Sequence, residues 1–236
     1  MTPDRDHPWD LTPAEAIHLQ QNIREQIELR WDNHPVHRVG GADVSYVRRW
    51  NKAFAVIKIF ECHQNGADEI SLEEIESKSA ELEIQYPYIP GLLTFREGPA
   101  LEAVWNQLEH TPDLLIFDGA GIAHPRQCGL AAHLGWRWDV PAFGCAKSRL
   151  FGQAAEVGKH KGDVSPLMHK KTQIGYVVRT RTRVKPLWVS PGHRTTLNIS
   201  REWTLKTVTQ YKLPEPTRLA DHATKMMVQQ IKQAKS

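Results

Sequence analysis

Cysteine is scarce in this chain, and long charge-free runs, internal repeats and linker-like tracts are absent from it. Its three cysteines, Cys62, Cys128 and Cys145, are odd in number and form no C-x-x-C pair, which argues against a disulfide framework and against a zinc knuckle. Buried free thiols are the commoner reading; a mixed zinc site drawn from Cys128, His133 and Cys145 is the rarer one. The most apolar run, Ala53–Phe60, is broken by Lys58, so no membrane span is expected. Met1–Asp10 carries Asp4, Arg5, Asp6 and Asp10 with no apolar segment to serve as a secretion signal, and a cytoplasmic setting is expected. Gly119-x-Gly121 lacks the third glycine of a dinucleotide site, and no Gly-x-Ser-x-Gly turn surrounds Ser148, so neither hydride transfer nor covalent catalysis is indicated.

What remains is a chain of 236 residues, 40% hydrophobic and 24% charged, for which one domain spanning 1–236 is the simplest organisation. The net charge of +3 conceals an asymmetry: Met1–Cys145 holds 12 Lys and Arg against 22 Asp and Glu, whereas Ala146–Ser236 holds 18 against 5. A basic portion of that size can supply the field that a polyanion needs. The alternation of Arg179, Arg181, Arg183 and Lys185 with Thr180, Thr182 and Val184 fits equally well the wet face of a strand. The acidic stretch Glu61–Glu83 reads as a solvated edge hairpin.

Thr12-Pro13-Ala14-Glu15 joins a cap, a proline in the first turn and a Glu three residues after the cap. Ala16, Leu19, Ile23, Ile27 and Trp31 then recur at helical spacing. Val36–Val47 and Ala53–Cys62 read as β-strands, and Ile70–Tyr86 as further extended chain. A helix is expected to open at Gly98-Pro99, followed by the buried strand Leu114–Phe117 that ends in Asp118. A helix from about Gln127, strands at Val140–Gly144, Ile174–Arg183 and Leu187–Ser190, and helices at Ser200–Gln210 and Thr217–Ala234 complete an α/β arrangement.

Three acids stand out. Asp43 interrupts an apolar strand, Glu97 sits in a turn before a helix, and Asp118 caps the buried run. Each alone is as readily a cap, turn or surface group. If they converge, a pair at about 4 Å repels by roughly 1–4 kcal/mol, a cost that a divalent cation removes. Oxygen-only ligation points to Mg²⁺, with Mn²⁺ as substitute, and to phosphodiester hydrolysis.

The acids lie within contiguous blocks: Gly41-Ala-Asp43-Val-Ser-Tyr46, Pro87-Tyr-Ile-Pro-Gly-Leu-Leu-Thr-Phe-Arg-Glu97-Gly-Pro99 and Asp118-Gly-Ala-Gly-Ile-Ala-His124-Pro-Arg126, then Gly144-Cys-Ala-Lys147, Ser190-Pro-Gly-His-Arg194 and Pro214-Glu-Pro-Thr-Arg-Leu-Ala-Asp221. In this order, from about Ala16 to about Asp221, they closely resemble the endonuclease V family of deoxyinosine-specific repair nucleases. The resemblance implies a ribonuclease H-like mixed sheet flanked by helices. It also implies metal-dependent cleavage of DNA at the second phosphodiester on the 3′ side of a deaminated purine, leaving 3′-hydroxyl and 5′-phosphate ends. Relatives of the family that act on inosine in RNA make an endoribonuclease the first alternative; a non-catalytic damage-binding module is the second, and its mark would be a lost acid.

By the same resemblance, Asp43, Glu97 and Asp118 match the family's metal-binding acids, Lys147 the lysine near the scissile phosphate, and His124 a histidine beside the active site. Asp221 falls where the family carries an Asp or His near the metal, and His222 beside it leaves that assignment ambiguous. Ala120 stands where the common pattern has histidine. Pro87-Tyr88-Ile89-Pro90 matches a wedge; physically, two prolines stiffen a loop whose tip could enter a base stack, or Tyr88 could simply pack on the surface. Gly91 and Gly119 would let backbone amides approach a flipped base. Arg96 could orient Glu97, meet a phosphate or form a salt bridge.

Overall fold

A computed structural model describes residues 5–65 and 69–234. The first four residues of the charged N-terminal stretch, and positions 66–68 of the acidic stretch Glu61–Glu83, lie outside the described residues. The expected capping box is present. Thr12 accepts from the Glu15 amide and Glu15 reaches back to the Thr12 amide, opening α1 (Pro13–Gln26). The helix stops earlier than the apolar spacing suggests, because Ile27 turns extended at φ −71° and ψ 122°.

The strands are β1 (Arg38–Val47), β2 (Lys52–Gln64), β3 (Ile70–Glu83), β4 (Leu114–Phe117), β5 (Ala142–Ala146), β6 (Val164–His169), β7 (Thr172–Val178) and β8 (Leu187–Pro191). They form one eight-stranded sheet in the order β3-β2-β1-β4-β5-β8-β7-β6, with β1, β4 and β5 parallel and the other pairings antiparallel. The helices α2 (Leu93–Trp105) and α3 (Leu130–Arg137) cover one face, and α4 (Leu197–Lys206) and α5 (Glu215–Ala234) the other. Side-chain alternation splits the core accordingly: Ala42, Leu115 and Phe117 pack with Leu101 and Leu134, while Val39, Leu114, Ile116 and Phe143 pack with Trp203. This is the mixed, helix-flanked, ribonuclease H-like sheet expected from the sequence. Among the described residues no helix is long and apolar enough to cross a membrane.

Acidic β3 lies at one edge of the sheet and the basic β6–β7 region at the other, so the charge asymmetry along the chain becomes an asymmetry across the sheet. The edge position of β3, with its alternating burial, agrees with the solvated hairpin expected.

Three expectations need correction. α2 begins at Leu93, not at Gly98-Pro99, so Glu97 lies inside a helix and Pro99 is an interior residue of it. A proline there forfeits one intrahelical bond, and packing outweighs that loss: Phe95 and Leu101 are fully buried. The Trp9 ring covers Gly98 so closely that an added Cβ would lie 2.4 Å from it. Second, Arg179–Lys185 is a loop, not the end of a strand. Arg179 donates to the carbonyls of Gly158, Val157 and Val184 and braces two loops together instead of facing solvent. Third, β6 has no counterpart in the sequence reading, because Pro166 interrupts its pattern; a proline is tolerated on this edge strand.

α5 approaches β1 closely because Gly41 has no side chain: a Cβ there would lie 2.1 Å from the Pro216 backbone carbon. Gly41→Ala is expected to push α5 outward and to cost about 1–3 kcal/mol or more, a fall of several degrees in Tm by calorimetry. An unchanged Tm would show that this contact does not hold the helix.

Candidate functional site

The parallel pairing of β1 with β4 runs from Val39 opposite Leu114 to Ala42 opposite Phe117, and one step further sets Asp43 beside Asp118. The pairing of Phe117 with Gly144 brings β5 alongside. Period-two alternation then places Asp43, Asp118 and Lys147 on the same face, the one covered by α5. After β1 the chain turns to β2 on one side, while β4 leads to β5 on the other. The crevice between the carboxyl ends of such strands is where open α/β sheets bind ligands.

α5 adds Asp221. Carboxylate oxygens of Asp43, Asp118 and Asp221 lie within 4.8 Å of one another. Together with Glu97, Lys147, Leu101 and Leu130 they line a pocket of about 210 Å³. Glu97 enters from the α2 side, where it is 8% exposed and accepts a hydrogen bond from Tyr46 Oη at 2.9 Å. It shares the pocket but stands outside the 4.8 Å set. Lys147 pairs with Asp118 and, at 2.9 Å, with Asp221; Lys225 holds the other oxygen of Asp221 at 2.5 Å. His222 is exposed, so Asp221 is the member of this pair that faces the cluster.

Burial, reinforced by the neighbouring Asp118, pushes the Asp43 carboxyl up to about 6. Burial pushes Glu97 to about 8 against the opposing bond from Tyr46, and it raises Asp118 despite Lys147. Burial also works to raise Asp221, but the bonds from Lys225 and Lys147 outweigh it and hold that carboxyl below the usual range. The Lys147 ammonium is held protonated: burial opposes it, and Asp118 and Asp221 prevail. The donor set is all oxygen and already neutralised in part by an ammonium, which fits a hard divalent cation and not a thiolate-seeking metal.

His124 is placed elsewhere. It is 2% exposed and its Nε2 lies 2.9 Å from the Gly91 carbonyl, which also accepts from Arg126 at 2.6 Å and from Gln20 at 3.2 Å. Burial, with Arg126 beside it, lowers its pKa to about 4, so the ring is neutral and acts as a brace for the loop that carries residues 87–90. On that loop Ile89 packs against Leu92 and Phe95, while Tyr88 stands 70% exposed between exposed Pro87 and Pro90. Gly91 takes φ +82°, a conformation that suits glycine, and Gly119 is buried against Leu130. Arg96 forms no salt bridge with Glu97: it donates to the Tyr86 carbonyl at 2.7 Å and lies 4.9 Å over the ring of Tyr46, the residue that donates to Glu97, and its charge is felt at Glu97 without a direct bond.

The family model for Endonuclease V matches residues 19–222. The chain belongs to the endonuclease V family. Endonuclease V of Myxococcus xanthus is 41% identical over 213 residues, 90% of this chain and 88% of that one. The crystal structure of endonuclease V from Streptomyces avermitilis superposes with a TM-score of 0.85 at 33% identity, covering 95% of this chain and 96% of that one. Ciona intestinalis endonuclease V, 25% identical with a TM-score of 0.74 over 92% of this chain and 98% of its own, has been crystallised with a 24mer DNA containing an inosine followed by a ribo-adenosine. As a member of the family the chain is a nuclease, an enzyme acting on phosphodiester bonds.

Two polar groups of this endonuclease V site escaped the sequence reading. Tyr46 lies within a quoted block, but nothing in the sequence says that its hydroxyl meets Glu97 on the overlying α2. Thr224 donates to Asp43 from a distance of 181 positions along the chain, and it lies just past the last block.

The raised acids make a sign-definite prediction. Between the unfolded and folded pKa values of Asp43, Glu97 and Asp118 the folded chain holds protons that the unfolded chain has released, so stability falls as pH rises. Each pK unit is worth about 1.4 kcal/mol, and 1 kcal/mol moves Tm by about 2–4 °C in a chain of this size. In chelator, Tm should drop several degrees from about pH 5.5 to about pH 8, and Glu97→Gln should flatten the drop. An equal slope in the variant would contradict the burial of an ionising Glu97.

Proposed function

We propose that this chain nicks DNA at deoxyinosine, hydrolysing the second phosphodiester 3′ to the lesion with Mg²⁺, or Mn²⁺ in its place, as a step of DNA repair in the cytoplasm. The observation that carries the reading is the intact carboxylate pocket where the middle of β1 runs beside the carboxyl end of β4, with a braced loop and an outward tyrosine leading into the helix that carries Glu97. The DNA complex of the Ciona relative supports inosine as the base recognised. The retention of every acid favours an enzyme over a silent binding module.

Asp43, Asp118 and Asp221 would hold the cation, with Glu97 closing the opposite side of the pocket. A bound divalent cation supplies charge stabilisation at phosphate oxygens and a water acidic enough to attack at neutral pH. Lys147 is a compact cation at the rim, suited to a non-bridging phosphate oxygen once it leaves Asp118. Glu97, buried and raised to about 8, is the pocket group best able to hold a proton near neutrality. Leu101 and Leu130 keep the inner wall apolar, which strengthens every charge interaction there.

Tyr88 is the wedge. Its ring is presented to solvent by two prolines, and the loop below is fixed by Ile89 in the core and by three donors on Gly91. A rigid tip loses little entropy when it enters a base stack, and only a duplex needs to be held open while the base turns out. Five residues separate Gly91 from Glu97, so a base displaced by Tyr88 is delivered near the acids along one short stretch of chain.

End-labelled duplexes with one deoxyinosine, or single strands with one inosine in RNA, test the reading in Mg²⁺ and in EDTA. Metal-dependent nicking of the DNA one nucleotide beyond the lesion is expected; cleavage of the RNA alone would reassign the substrate. Asp43→Ala and Asp118→Ala should each reduce cleavage by about a thousand-fold or more while inosine-DNA binding persists. Equal cleavage by either variant and the parent would remove that acid from the site. Tyr88→Ala should cost about ten-fold or more on duplex substrate and much less on a single strand, in parallel kcat/KM measurements. Equal losses on both substrates would make Tyr88 a packing residue.

A further inference from the structure

Asp43 points from β1 toward α5, and among the described residues its one side-chain hydrogen bond comes from Thr224, whose Oγ1 lies 2.9 Å from Asp43 Oδ2. Thr224 is completely buried, at 0% exposure. The same oxygen lies 2.8 Å from Ser45 Oγ, two residues along β1 on the face that Asp43 occupies, and 2.9 Å from the carbonyl of Asp221, one helical turn earlier. Each hydroxyl has one proton to give and two lone pairs to receive. If the Thr224 proton went to the Asp221 carbonyl, Asp43 would keep a buried carboxylate beside Asp118 with no donor. A carboxylate is also the stronger acceptor. The order that satisfies all three groups is Ser45 donating to Thr224 and Thr224 donating to Asp43.

We propose that Thr224, backed by Ser45, is a positioning residue that fixes the plane of the Asp43 carboxylate for a divalent cation and ties the α5 ligand Asp221 to the strand ligand Asp43. The inference rests on the metal reading above. A neutral hydroxyl is well matched to the task. It orients one carboxylate oxygen and leaves the negative charge for the cation, whereas an ammonium such as Lys147 competes with the cation for that charge. Thr224 and Asp221 stand one turn apart on the same helix, so a shift of α5 moves the donor to Asp43 and the ligand Asp221 together. Thr224 lies beyond the segment matched by the family model, which ends at residue 222.

The test is Mn²⁺ binding to the full chain by calorimetry, without DNA, together with melting in chelator. Thr224→Val keeps the side-chain shape and removes the hydroxyl; it should weaken Mn²⁺ binding by about ten-fold or more. Its metal-free Tm should stay within about 2 °C of the parent. Thr224→Ser should restore affinity to within about three-fold, and Ser45→Ala, on the wetter side of the relay, should cost less than Thr224→Val. Parental Mn²⁺ affinity in Thr224→Val overturns the proposal. If that variant melts far below the parent, Thr224→Ser and Ser45→Ala decide: unchanged affinity in Ser45→Ala together with lost affinity in Thr224→Ser would overturn the relay. A parent that binds no Mn²⁺ would overturn the metal reading itself, and this inference with it.

Discussion

The parallel register of β1 against β4 forces two carboxylates together, and much of the rest of the site answers to that repulsion. Asp43 and Asp118 are adjacent because the parallel register sets the end of β4 beside the middle of β1, and both face α5 because alternation leaves them no other face. Buried side by side they are driven toward their neutral forms. The fold replies with Lys147, just past the end of β5, and with the hydroxyl of Thr224 from α5, two donors of different strength. A third acid, Asp221, would worsen the repulsion were it not held between Lys147 and Lys225. The pocket is thus poised: stable enough to fold, and still in deficit of positive charge.

Much of this was legible in the sequence, for a physical reason. Asp43 and Asp118 interrupt or end apolar strand runs, a pattern that survives any error in element boundaries, whereas Lys147 and Asp221 stand out only through the resemblance to the family. Parallel register then converts similar positions on neighbouring strands into proximity. Glu97 was found as a residue but misplaced as a turn, because Pro99 reads as a helix start when in fact the packing of Phe95, Leu101 and the Trp9 ring keeps the helix going through it. Tyr46 and Thr224 carry no local signal: their roles come from which hydroxyl faces which carboxylate between a strand and the helix packed on it. The ring of His124, which the resemblance sets beside the active site, braces a loop carbonyl, a contact that its sequence block does not announce.

The same bracing links the two working parts of the molecule. Gly91 takes a left-handed conformation and turns its carbonyl into three donors from α1 and the β4–α3 connection. That anchor allows Tyr88 to be exposed without being loose. Arg96, at the start of the helix that carries Glu97, reaches back to the Tyr86 carbonyl at the other end of the same loop and lies over Tyr46. The chain from Tyr86 to Glu97 is therefore fastened at three places: to Arg96, to the Gly91 donors and to Tyr46. Of these fastenings, those to Arg96 and to the Gly91 donors hold the loop without drawing on the acids, and the one to Tyr46 ends on Glu97.

α5 plays the corresponding part on the other face. It can approach β1 only because Gly41 leaves room for the Pro216 backbone, and that approach sets the height at which Asp221 and Thr224 arrive. Helices are stiff along their axes, so two groups one turn apart come into register together or not at all. A ligand set drawn wholly from the strands would be fixed by the sheet's hydrogen bonds alone. One that includes α5 is fixed also by the helix's packing, which joins the stability of the hydrophobic core on that face to the geometry of the carboxylates. Loss of core contacts under α5 would therefore reach the site before the sheet itself failed.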